Sequence, residues 1–126
     1  MKLTRSKAIV LGLVSITGVA LLETFNSLAC YKHDFGHFLS AMLFIGIPML
    51  PALVSLATGN PLRAVGASVF FAPWLVFAYY VDCIVPYQGG GASMVYVGVI
   101  LWGFPSAAVG ALMTGPVLRM FDVQVV

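Results

Sequence analysis

Glu23 is the acid in an otherwise uncharged apolar stretch, Ala8 to Ala29. A carboxylate within a membrane segment costs about 2.5 kcal/mol or more on insertion scales, so it is expected to face a bundle interior or a water-filled cavity. At about 100° per residue, Gly12, Ser15, Glu23, Asn26 and Ser27 fall within one third of a helix circumference. The expectation is an inward-facing polar site of Glu23, Asn26 and Ser27. A carboxyl group there could exchange a proton or line an ion pathway. The plainer alternative is a hydrogen-bonded or wetted residue near the outer boundary, because Glu23 lies about 7 Å outward of the segment centre at about 1.5 Å per residue.

Two more groups could carry chemistry. Cys30 and Cys83 are the two cysteines of the chain, and both fall in connections expected on the same oxidising face, where they could form a disulfide. Cys30, His33, Asp34 and His37 read C-x-x-H-D-x-x-H, and two imidazoles four residues apart share a helix face that could bind zinc or copper. A disulfide would withdraw Cys30 from such a site, and the methionines at 42, 49, 94, 113 and 120 are scattered rather than paired. His33, Asp34 and His37 are therefore a weak metal candidate, and no metal or cofactor is assigned. Phosphate-loop, zinc-protease, C-x-x-C and G-x-S-x-G patterns are absent, so a catalytic role is not expected.

These residues must be carried by membrane helices. The 126-residue chain is 61 % hydrophobic and 8 % charged, with a mean hydropathy of +1.05. Soluble domains run at roughly 45–50 % apolar and about 25 % charged. Four segments are long enough, or nearly so, to cross a hydrocarbon core: residues 8–29, 38–58, 64–81 and 94–115. They are continuously apolar, unlike the alternating strands of a membrane barrel. The expected fold is all-α: four transmembrane helices in one up-down-up-down bundle, joined by short connections.

Orientation follows from the basic residues. Lys2, Arg5 and Lys7 precede the first segment, Arg63 lies in the second connection and Arg119 in the tail, whereas Lys32 alone occupies an odd-numbered connection. The positive-inside rule then places both termini in the cytoplasm, as for a multi-pass protein of a bacterial inner membrane. Tyr31, Phe35, Tyr79, Tyr80, Tyr87 and Tyr96 gather near the opposite boundary, where amphipathic rings are favoured. A second reading of the N-terminus is a signal peptide ending at Ser27-Leu28-Ala29, set against an apolar stretch long enough to span.

Pro48 and Pro51 fall in the second segment, Pro73 in the third and Pro105 in the fourth, and each is expected to free a carbonyl and kink its helix. Ser68, Ala72, Leu75, Tyr79 and Asp82 align on the third helix, and Gly103, Ser106 and Gly110 on the fourth; such stripes let membrane helices approach within a bundle or between subunits. The Gly89-Gly90-Gly91 run reads as an external turn. The net charge of +2 lacks the clustered basic face that nucleic-acid binding requires. The expected partners are the lipid bilayer and another membrane protein or a second copy of the chain. Two functional classes remain open. The favoured one is a non-enzymatic accessory, regulatory or immunity-type partner of another membrane protein. The other is a small oligomeric transporter or channel using Glu23 as a protonatable intramembrane site.

Overall fold

The computed structural model describes residues 1–84 and 95–126, and the described part is helical apart from two short terminal strands. Gly89-Gly90-Gly91, Tyr87 and the Met94 start of the fourth segment lie outside the described residues. The elements are β1 (Lys2–Leu3), α1 (Arg5–Phe25), α2 (Phe35–Gly46), α3 (Leu50–Ala57), α4 (Arg63–Tyr79), α5 (Val95–Met120) and β2 (Gln124–Val125). α1 continues into a π-helical turn, Asn26–Cys30, and α4 into another, Tyr80–Ile84. With their π turns, α1 and α4 run over 26 and 22 residues, and α5 over 26. Each is long and apolar enough to cross a membrane, and the pair α2–α3 makes a fourth span if it counts as one.

α1 starts at Arg5, three residues before the apolar stretch, because the Thr4 side chain accepts a hydrogen bond from the Lys7 amide at 3.4 Å and caps the first turn. The expected second helix, 38–58, is two helices bent by 63°. Pro48 has no N–H to continue the ladder and Pro51 sits in the first turn of α3, where a missing N–H costs nothing. α5 passes the expected stop at Gly115-Pro116 and ends at Met120, with Arg119 in the last turn beside the negative end of the helix dipole.

α4 is the centre of the molecule. Ala64, Ala67, Phe71, Leu75 and Ala78 of α4 are fully buried together with Ala52, Val99 and Ala107 from α3 and α5. Glycine sets the spacing against α5. A methyl group added at Gly103 would lie 2.6 Å from the Phe71 ring, and one added at Gly110 would lie 2.9 Å from the Phe70 Cβ and press on the Gly66 carbonyl. The α5 stripe of Gly103, Ser106 and Gly110 therefore meets Gly66, Phe70, Phe71 and Trp74 of α4, with Trp74 Nε1 donating to Ser106 Oγ at 2.9 Å, whereas Leu75, Tyr79 and Asp82 of the α4 stripe lie against Asn26, Phe25 and Tyr31.

α1 packs against the start of α4 through Gly12, where an added Cβ would lie 2.7 Å from Leu56 and 3.1 Å from Ala64. At the same end β1 pairs in parallel with β2, Lys2 opposite Gln124 and Leu3 opposite Val125, so the two termini lie side by side. The Arg5 guanidinium also donates to the Thr58 carbonyl at the end of α3, at 3.2 Å. The outer faces carry large apolar side chains, among them Val14, Leu21, Leu101 and Leu112, as lipid contact requires.

Candidate functional site

The end of the molecule opposite the termini is built by the two π turns. In a π turn the backbone bond reaches one residue further than in an α-helix, and the Tyr31 amide donates to the Asn26 carbonyl at 3.1 Å. Cys30 ends the first of these turns and Cys83 lies in the second, and their Cα atoms stand 5.8 Å apart, the spacing of a disulfide. The junction ties the far ends of α1 and α4 together. Beyond it Lys32 takes a left-handed conformation (φ 53°), which turns the chain back toward α2. Asp34 then caps α2, its Oδ1 accepting from the His37 amide at 2.8 Å.

Glu23 is 1 % exposed, and Asn26 and Ser27 are fully buried. All three side chains point into the protein, as the helical spacing predicts, while Ser15 of the same face is half exposed. The Tyr96 hydroxyl donates to Glu23 Oε2 at 2.8 Å, linking α1 to α5. Asn26 Nδ2 donates to the Leu75 carbonyl at 3.1 Å, linking α1 to α4. Ser27 Oγ shares a hydrogen bond of 2.7 Å with His33 Nδ1. Tyr31 donates to Asp82 Oδ2. Tyr31 sits between two aromatic neighbours, stacked on His33 at 5.3 Å and edge-on to Tyr96 at 5.6 Å.

Acceptors outnumber donors in this cluster. Glu23 Oε1, Asn26 Oδ1 and Asp82 Oδ1 are buried without a hydrogen-bond partner among the described residues. The described ion pair is His37 with Asp34, 2.7 Å apart on the surface, so neither Glu23 nor Asp82 has a cationic neighbour among the described residues. The fully exposed Asp34 carboxyl is held below the usual range, first by the His37 amide and then by the His37 ring. Burial and the bond to Asp82 push the Tyr31 hydroxyl up, so Tyr31 stays a protonated donor at neutral pH.

A cavity of about 350 Å³ opens beside Glu23. It is lined by Glu23, Tyr31, His33 and His37, by Ser40, Ala41 and Phe44 of α2, and by Tyr96, Val97 and Ile100 of α5. α2 buries only Ile45, so this side of the cavity is loosely held. What the arrangement offers chemically is a carboxyl group anchored by one oxygen, its second oxygen free to take a proton or a donor, beside aromatic faces.

His33 and His37 stack at 5.8 Å, but their Nδ1 atoms are engaged by Ser27 and Asp34 respectively. Among the described residues no three His, Cys, Asp or Glu side chains converge as a metal site would require. Sequence reasoning did not assign Tyr96, Tyr31 or Asp82 to the Glu23 site. It placed the two tyrosines at a membrane boundary and Asp82 in a packing stripe, and their only shared signal was location at the same end of three segments. No protein-family model matches the chain, and neither a curated protein nor a solved structure does.

Proposed function

We propose that this chain is a small multi-pass transporter or channel, acting as an oligomer, in which Glu23 is the protonatable working group. The observation that carries this reading is a buried carboxyl group with a free oxygen beside a cavity. A carboxyl that only filled space would leave an acceptor unsatisfied at about 1–3 kcal/mol, which an apolar side chain of similar size would avoid. The accessory-protein reading loses one of its motives, because the Gly66, Gly103 and Gly110 surfaces are used inside the bundle. Neither reading gives the chain a catalytic step.

The membrane arrangement that goes with this function is four crossings with both ends in the cytoplasm of a bacterial inner membrane. Its supports are the basic residues, all but Lys32 at the terminal and α3–α4 end, and the paired terminal strands, which require an even number of crossings. The bent α2–α3 pair is then the second crossing. The cysteine pair lies on the periplasmic side, where disulfides persist.

The test is proton flux into proteoliposomes under an imposed pH gradient. Wild type should conduct and Glu23→Gln should not, with both equally resistant to thermal unfolding. Absence of flux in folded wild type would overturn the proposal in favour of an accessory protein, whose partner co-purification in mild detergent would then identify.

A further inference from the structure

We infer that the Glu23 cavity binds a monovalent organic cation with an apolar body; this rests on the Glu23 reading above and names the ligand class of that site. Three observations lead to it. The cluster has buried acceptors to spare, Glu23 Oε1 among them, and among the described residues none of them is in an ion pair, His37 being paired with Asp34. A ligand that brings positive charge supplies what the site lacks. Second, the rings of Tyr31 and Tyr96 meet edge to face at 5.6 Å next to the carboxyl group, and Phe44 lines the same cavity. Aromatic faces attract a cation by their quadrupole and most strongly where water is excluded.

Third, apart from His33, His37 and Ser40, the rest of the lining is aliphatic. Ala41, Val97 and Ile100 offer no partner for the hydration shell of an inorganic ion, but they suit the hydrocarbon of an organic one. The volume of about 350 Å³ falls within the range of small-molecule sites, roughly 300–1,000 Å³. The ligand sits with its charge at Glu23 and Tyr96 and its apolar body between α2 and α5. Phe44 is 56 % exposed and α2 buries only Ile45, so α2 can yield to admit a ligand without opening the α4–α5 seam.

The test is calorimetric titration of the full chain in detergent at neutral pH with tetraphenylphosphonium, and with uncharged triphenylphosphine oxide as the matched control. The phosphonium should saturate one site per chain. Glu23→Gln should weaken it by about tenfold or more, the loss expected for a desolvated charge pair, while leaving the weak binding of the oxide unchanged. Phe44→Ala cuts an exposed side chain and keeps the fold; it should weaken the phosphonium by about three- to tenfold. Failure of the phosphonium to bind folded wild type, or equal affinity for the oxide, overturns the inference. So does phosphonium binding that neither variant alters. Infrared titration separates this from the parent reading. A carboxyl band that titrates in wild type and is missing in Glu23→Gln keeps the protonatable site even when the phosphonium does not bind, and its absence from wild type removes both.

Discussion

The Tyr96 to Glu23 hydrogen bond should be worth more than its single deletion suggests, and a double-mutant cycle measures it. Tyr96→Phe removes one hydroxyl and leaves the ring in place, so the packing of α5 on α1 is kept. Glu23 Oε1 already has no partner, and Tyr96 supplies the 2.8 Å bond to Oε2. Without the hydroxyl both carboxyl oxygens are buried and unsatisfied, a cost of about 1–3 kcal/mol. In a Glu23→Leu background the same change leaves no orphaned carboxyl, and Tyr96→Phe should cost less than about 0.5 kcal/mol. The expected coupling is thus about 0.5–3 kcal/mol, the range for residues in direct contact. Reversible unfolding of the four proteins in mixed micelles of rising denaturing-detergent fraction gives the four free energies. A coupling below about 0.3 kcal/mol would refute the claim that Tyr96 satisfies a buried Glu23, and with it the geometry on which the cavity argument stands.

Oxidised wild type should change gel mobility on reduction and Cys83→Ser should not, whereas labelling of both thiols without reductant would break the Cys30–Cys83 pairing. Gly103→Ala places a methyl 2.6 Å from the buried Phe71 ring and should destabilise by about 1–3 kcal/mol in the same unfolding assay, while Gly98→Ala meets no atom within 4 Å and should be neutral or stabilising by up to about 1 kcal/mol. Cysteines placed at Lys2 and Val126 of a Cys30→Ser, Cys83→Ser chain should resist a membrane-impermeant reagent in intact cells and one placed at Lys32 should react; labelling of either terminus would sink the four-span orientation. The depressed Asp34 carboxyl contributes its capping strength above the ordinary aspartate value of 3.8 and loses it as pH falls through the lower folded value. Protection of the His37 amide from hydrogen exchange should therefore persist through pH 3.8 and fade only below it, and Asp34→Ala should abolish that dependence.

The helical class and the inward direction of Glu23, Asn26 and Ser27 were legible in the sequence because both follow from one-dimensional regularities. Apolar run length reports a bilayer-sized helix, and a 100° step assigns residues to faces. The break between α2 and α3 was legible as Pro48 but not as an angle. Whether a proline kinks a helix or divides it depends on what the freed groups meet, and here Pro48 is itself buried, 3.4 Å from the position a Gly103 side chain would occupy. The extension of α5 through Pro116 ran against the usual stop signal, since the sequence cannot show that the turn after a proline has neighbours to hold it. The Tyr96 and Asp82 contacts were invisible for a different reason. They join residues 73 and 51 positions from their partners, Glu23 and Tyr31, and no local periodicity encodes a register between helices that distant.

The two ends of the molecule differ in how they are held. At the terminal end, glycines at 12, 66 and 110 bring backbones into close contact, and the strands β1 and β2 lock the chain ends together. At the other end buried polar side chains, Glu23, Asn26 and Ser27, share the junction of α1 with its neighbours. α1, α4 and their extensions meet there through Asn26 on the Leu75 carbonyl, Tyr31 on Asp82, the Phe25 and Tyr79 rings and the cysteine pair. A bridge across 53 residues removes unfolded-chain entropy worth about 4 kcal/mol in the loop-closure account. That is comparable to the cost of a buried, half-satisfied carboxyl group in a membrane helix. Placing the covalent tie where the extensions of α1 and α4 end lets those helices stay fixed while α2, with Ile45 alone buried, remains the least anchored helix. Elements that admit ligands come from the low-stability end of a fold, and in this chain the rigid wall carries Glu23 while the yielding wall carries Phe44.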